Sequence, residues 1–179
     1  MNFSRFKFII IVILLAISLA GFTFWANLYV GIMALLLALL MIYSHFKQGN
    51  IVPALMALRN GNIPAAEQAL ASIKRPDYLS KRYQGYYYFA SGLVDFYHKR
   101  IAQGCENLEK ALTFGLKNKT ELSITHLNIA QGAYMQKDYE KSRKHMELCQ
   151  AQNPTDLHIK QRLEELAKYL DQNQNQSNS

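Results

Sequence analysis

The chain has 179 residues, 50% of them hydrophobic and 18% charged, and a net charge of +7. Length bounds it at one modest domain with an appendage. The two cysteines, Cys105 and Cys149, form no C-x-x-C pair and match no zinc spacing, so two buried free thiols are the simpler reading and a disulfide between them the alternative.

The charge is unevenly spread. Positions 8–46 contain no Asp, Glu, Lys or Arg, and all 13 acidic residues lie after position 60. The apolar stretch is about two membrane spans long, since one span takes roughly 20 residues. Gly21, Asn27 and Gly31 weaken helix near its middle, with Trp25 and Tyr29 flanking Asn27 as at a headgroup layer. This predicts a hairpin anchor over 1–47, with spans near 6–25 and 28–46 in contact with the lipid bilayer. Arg5 and Lys7 precede the first span, and Lys47 and Arg59 follow the second. A hairpin puts both basic flanks on one side, so the positive-inside rule places both termini in the cytoplasm. The alternative is a leader cleaved near Ser18-Leu19-Ala20, which would leave one anchor and display the rest outside. Nothing ionisable apart from His45 lies in the stretch, which argues against a channel or pump.

Beyond it, residues 38 apart match in size and polarity. Ala54, Gly92 and Ala130 form one set; Ala66, Gly104 and Ser142 a second; Leu70, Leu108 and Met146 a third; Leu58, Phe96 and Tyr134 a fourth. A period of this length signals stacked helical hairpins, each too small to bury its own apolar face. Units are expected at about 47–84, 85–122 and 123–154. In the third, a helix from about Lys119 to Gln136 turns at Lys137-Asp138, Asp138 caps the next helix, and Pro154 follows its end. In the first, the turn is Gly61-Asn62 with Pro64 just inside the second helix. The middle unit turns at Lys99-Arg100, which is poor turn chemistry. The small residues let paired helices approach closely, and Cys149 falls at a core position.

After Pro154, Ile159, Leu163, Leu166 and Leu170 make one apolar stripe, predicting a capping helix over 155–171. The Gln-, Asn- and Ser-rich residues 172–179 are expected to be a disordered tail. The fold class is thus all-α: a two-helix transmembrane hairpin, then a short α-solenoid of about three hairpins with a cap.

Ile129-Ala130, Tyr134, Asp138-Tyr139, Ser142, Met146, Cys149 and Pro154 stand at the spacing of the tetratricopeptide repeat motif. Gly61, Ala66 and Leu70 match it in the first unit, and Gly92, Leu108 and Ala111-Leu112 in the second. Residues 50–155 therefore resemble that family. Its usual period is 34, which puts the extra residues in the connections near 76–80 and 115–118, and His126 stands where an aromatic is usual. In layout the chain is similar to a bacterial inner-membrane protein associated with haem biosynthesis genes. The basic cluster and longer hairpin loop of that type are missing, so its role is not carried over.

The resemblance implies a concave groove lined by the first helix of each unit. Tyr86, Phe89, Leu93 and Tyr97 are its expected partner-binding residues in the middle unit, with Leu127 and Gln131, beside Ile124 and Met135, in the third. Tyr86-Tyr87-Tyr88-Phe89 surrounds the helix with aromatics, more than the core alone needs. Some relatives grip a C-terminal carboxylate with groove-facing cations. Here those positions hold Ile51, Leu55, Phe89, Leu93 and Leu127, which argues against that mode.

No catalytic constellation, phosphate loop or nucleic-acid motif is present, and no cofactor or small-molecule substrate is expected. His145 and Cys149 share a helix face, but two ligands fall short of a zinc site. The expected function is a non-enzymatic, membrane-anchored scaffold that binds a protein at the cytoplasmic face of the inner membrane. A second possibility is an accessory subunit of a membrane enzyme or export complex, contacted through the hairpin.

Overall fold

The computed structural model describes positions 12, 13 and 16, then residues 28–48 and 51–177. Eight helices and no strand are described, so the all-α class holds. The chain divides into two compact units, Met1–Gly49 and Asn50–Ser179.

In the first unit, α1 runs Leu28–Gln48. Its described side chains are continuous only from 31 to 41. Among the described residues, no helix is long and apolar enough to cross a membrane. The expected first span, 6–25, lies almost wholly outside them, so the transmembrane hairpin does not follow from the structure. What α1 does show is an inverted pattern. Gly31, Ala34 and Ala38 are buried, whereas Ile32, Met33, Leu35, Leu36, Leu37, Leu39 and Leu40 are exposed.

The second unit is a stack of helix pairs: α2 (Ile51–Arg59) with α3 (Ile63–Ala71), α4 (Lys81–Tyr97) with α5 (Ile101–Phe114), and α6 (Lys119–Met135) with α7 (Tyr139–Ala151). A 3-10 turn, Pro76–Tyr78, precedes α4, and α8 (Leu157–Ser177) closes the stack. Helix α8 runs on to Ser177 instead of ending at 171. The 38-residue register is kept to the residue. First helices end at 59, 97 and 135, and second helices begin at 63, 101 and 139.

The turn explains this fidelity. Gly61, Lys99 and Lys137 all adopt positive φ, of 69°, 59° and 63°. In each turn the next amide reaches back across it: Asn62 to the Ala57 carbonyl at 2.8 Å, Arg100 to Asp95 and Asp138 to Ala133, both at 2.9 Å. These bonds close the first helix in a left-handed cap, and the second helix starts at once. Asn62 and Asp138 then cap it, each side-chain Oδ1 accepting from an amide at 3.1 Å, Ala65 and Lys141 respectively. Arg100 cannot do this. Its guanidinium instead binds Asp95 at 2.8 Å, and Asn107 donates to the other Asp95 oxygen at 2.7 Å. The buried Asp95 carboxylate thus clamps the turn that lacks a cap.

The small-residue sets face each other as the register requires. A Cβ on Gly92 would sit 2.7 Å from the Leu108 side chain and 3.1 Å from the Gly104 carbonyl. In the third pair Ser142 donates its hydroxyl to the Ala130 carbonyl at 2.8 Å. Three cores result. Ile51, Ala54, Ala66 and Leu70 meet Ala90 and Val94 between the first two pairs. Phe89, Leu108, Ala111 and Leu116 meet Ile129 between the second and third. Leu127 and Cys149 meet Ile159 and Leu163, while Ala130 meets Leu166 and Leu170, so the whole apolar stripe of α8 is used.

Lys99→Gly should stabilise the fold by about 1 kcal/mol, because a lysine held left-handed carries a steric cost that glycine lacks. Asp95→Ala should destabilise by about 1–2 kcal/mol, since it leaves the half-exposed Arg100 and Asn107 without their shared acceptor. Urea unfolding followed by circular dichroism measures both.

Candidate functional site

The first helices and the cap, α4, α6 and α8, share one face, and near its upper end they leave a groove of about 560 Å³. Tyr97, from the last turn of α4, and Met135, from the last turn of α6, form its lips and are 64% and 65% exposed. Phe96 and Ile101, from either side of the middle turn, form its half-buried wall. Asn128 and Gln131 of α6 contribute amides, and Lys99 and Arg162 contribute cations. The Arg162 guanidinium hydrogen-bonds the Gln131 side-chain oxygen, tying α8 to α6. Asn128 spends its own amide N–H on the Ile124 carbonyl at 2.7 Å.

Of the residues expected to bind a partner, the groove brings together Tyr97 and Gln131. Phe89 and Leu127 are instead core residues, 5% and 1% exposed. A first helix in this stack touches its own partner, the unit before and the unit after, so positions that look outward-facing on one hairpin are covered by the next. Leu93 is half-buried against the Phe89 core. Tyr86 lies lower on the same face, where it lowers the pKa of the Glu121 carboxyl and Arg82 lies 5.9 Å from its ring centroid. Residues not singled out beforehand are Phe96, Lys99, Ile101, Asn128 and Arg162. Their signal lay in the register: Phe96 and Tyr97 precede the middle turn, and the face continues into α8.

The surplus aromatics are accounted for by packing. Tyr83, Tyr86 and Tyr87 lie against the first core. Tyr88 stacks on Phe114 at 5.4 Å with an interplanar angle of 7°. The run glues the first pair to the second.

Glu121, also on this face, is largely buried. Burial raises its pKa above the ordinary carboxylate value, against the pull of Tyr86, Arg59 and Arg82. Arg59 reaches its Oε1 at 4.0 Å, across from the first pair to the third. A second cleft of about 510 Å³ lies between α3, α4 and α5. Its charged floor is Asp95, already bound to Arg100 and Asn107.

Between α6 and α7, His126 and His145 approach Nδ1 to Nδ1 at 3.1 Å. One must donate and the other accept, so the pair needs at least one neutral ring. Burial pushes the His145 pKa down to about 4, aided by His126, and burial lowers His126 as well. Among the described residues, no group of three or more His, Cys, Asp or Glu is placed to hold a metal ion. Cys149 donates to the Ser123 carbonyl at 3.2 Å, and burial pushes its pKa up to about 11. Both cysteines are free, buried thiols.

Comparison with family models, curated proteins and solved structures gives no match. The tetratricopeptide resemblance therefore rests on the register and the residues quoted for it.

The histidine pair predicts a pH dependence. Its folded pKa values lie below the ordinary value near 6.5. The unfolded chain thus binds more protons below that pH, and the stabilisation is complete above about 6.5 and lost as pH falls toward 4. With His126 buried and His145 partly exposed, the loss should be about 1–2 kcal/mol. Unfolding at pH 7 and pH 4.5 checks this, with His145→Gln expected to show a smaller drop than wild type.

Proposed function

We propose that the chain is a membrane-anchored helical-repeat protein of the tetratricopeptide type, which binds another protein through the groove between α4, α6 and α8. The observation that carries this reading is the pair of exposed apolar side chains, Tyr97 and Met135, flanking a recess with polar amides beside it. A tyrosine ring offers apolar area and a hydroxyl to a partner, as interface residues commonly do. The recess lacks a nucleophile–base pair, which favours binding over catalysis.

The anchor rests on two supports. One is the absence of Asp, Glu, Lys and Arg from positions 8–46. The other is α1, which hides Gly31, Ala34 and Ala38 and exposes its large apolar side chains. Helices that pack in lipid use small residues against one another and turn leucines outward. In water such an apolar stripe would be a liability. With Arg5, Lys7, Lys47 and Arg59 at the flanks, the reading is of two spans with the repeats at the cytoplasmic face of a bacterial inner membrane. Confinement to that surface raises the effective concentration of a membrane partner.

Co-purification of the full chain in mild detergent tests the binding face. Tyr97→Ala/Met135→Ala should fold as wild type, because both side chains are exposed, and should lose at least nine-tenths of the bound partner. Equal recovery from both proteins would sink the groove reading. Replacing residues 1–47 with an unrelated two-span hairpin should retain the partner; loss there would favour the accessory-subunit role. Protease added outside sealed inverted vesicles should remove the C-terminal repeats. Protection of the repeats would mean the opposite orientation.

A further inference from the structure

We propose that the groove selects a segment in which an apolar anchor residue is accompanied by a carboxylate. This rests on the groove being the binding face. The groove is electrically one-sided. Lys99 and Arg162 line it, and no Asp or Glu does. The acidic groups near them are committed or set aside. Asp95, four residues before Lys99, is held by Arg100 and Asn107. Glu165, one turn along α8, acts on Arg162 electrostatically without lining the groove. Lys99 makes no ion pair among the described residues. Its left-handed backbone sets it at the tip of the turn, directly after Tyr97 and His98.

The two cations flank an apolar surface made by Phe96, Tyr97, Ile101 and Met135. A partner that buried only apolar area would leave them unanswered. An acidic side chain next to the anchor would answer both, with a charge-assisted hydrogen bond to the planar Arg162 guanidinium. The amides supply the rest. Gln131 gives its oxygen to Arg162 and keeps its N–H donors, while Asn128 gives its N–H to Ile124 and keeps its oxygen. Together they offer amide N–H donors and a carbonyl acceptor, which complement an extended peptide backbone. This favours a protein segment over an anionic lipid headgroup, which has no backbone N–H to give. The grip also differs from capture of a C-terminal carboxylate, because the cations lie at the end of the face and not at Ile51, Leu55, Phe89, Leu93 or Leu127.

The test uses the full chain in nanodiscs of zwitterionic lipid, panned with a phage library of random dodecapeptides. The expected pool is enriched at least tenfold over empty nanodiscs, with Asp or Glu within a few residues of an aliphatic or aromatic residue. Tyr97→Ala/Met135→Ala should abolish the enrichment. Lys99→Glu/Arg162→Glu should exchange the acidic residue for a basic one. Circular dichroism must first show unchanged helicity for both variants. A pool that needs Tyr97 and Met135 but has no acidic bias would overturn this inference and leave the groove reading intact. A pool indifferent to both variants, or no enrichment, would overturn both. Binding of wild type to anionic vesicles, with no peptide enriched, would assign the cations to lipid and overturn the inference as well.

Discussion

The stack depends on one hydrogen-bonded turn used three times. At 57–62, 95–100 and 133–138, an amide reaches back five residues while the residue before it sits left-handed. The turn reverses the chain within three residues and starts the second helix at a fixed phase. With the phase fixed, Ala66, Gly104 and Ser142 must face Ala54, Gly92 and Ala130. Each turn is reinforced by different chemistry. Glycine supplies the free backbone at 61, Asp138 caps the helix after the third turn, and the Asp95 carboxylate binds Arg100 at the second. Repeats that have diverged in sequence can therefore keep the same backbone, provided each one solves the turn somehow.

Close packing then decides what remains available. Helix α6 is covered over Ser123 and Thr125–Ala130, because it lies between its own partner, the preceding pair and the cap. The polar residues in that run do not need outside partners. Ser123, Thr125 and Asn128 each donate to the carbonyl four residues earlier, at 2.9, 2.7 and 2.7 Å. Such internal bonds let hydroxyls and amides enter a core at little cost. Beyond this run the covering gives out toward the last turn, where α6 extends to Met135 and α4 to Tyr97. The groove occupies that place. Tyr97 lines it together with Asn128, Gln131 and Met135, which stand one to two turns apart on α6.

Much of this was legible in the sequence. Gly61-Asn62, Lys137-Asp138 and Pro154 placed the ends of helices, and the 38-residue sets placed the small core positions and Cys149. The stripe of Ile159, Leu163, Leu166 and Leu170 placed the cap. The middle turn looked weak because its stabilising group, Asp95, lies five residues away and has no counterpart at 57 or 133, both alanine. The binding face was half legible. Tyr97 and Gln131 were found because they stand on the outer side of a first helix. Phe89 and Leu127 share that side, but whether a neighbour covers them depends on the offset between pairs, which no single helix encodes. Arg162 gives no signal in the sequence for the same reason, since it stands off the apolar stripe of the cap.

The same offset gives the face two different ends. Near its lower end, Arg59 of the first pair spans α4 to reach Glu121 of the third, beside Tyr86. That carboxylate is largely enclosed, and its Oε2 has no hydrogen-bond partner among the described residues. It lies 4.0 Å from an arginine that is 76% exposed, so the pair contributes little to stability. Near the upper end, no acidic group lines the groove, and the cations Lys99 and Arg162 lean on apolar surface. The lower end thus carries a carboxylate and a cation supplied by the chain itself. The upper end carries cations without a lining carboxylate, with Arg162 held by Gln131, so the two ends of the face differ in charge.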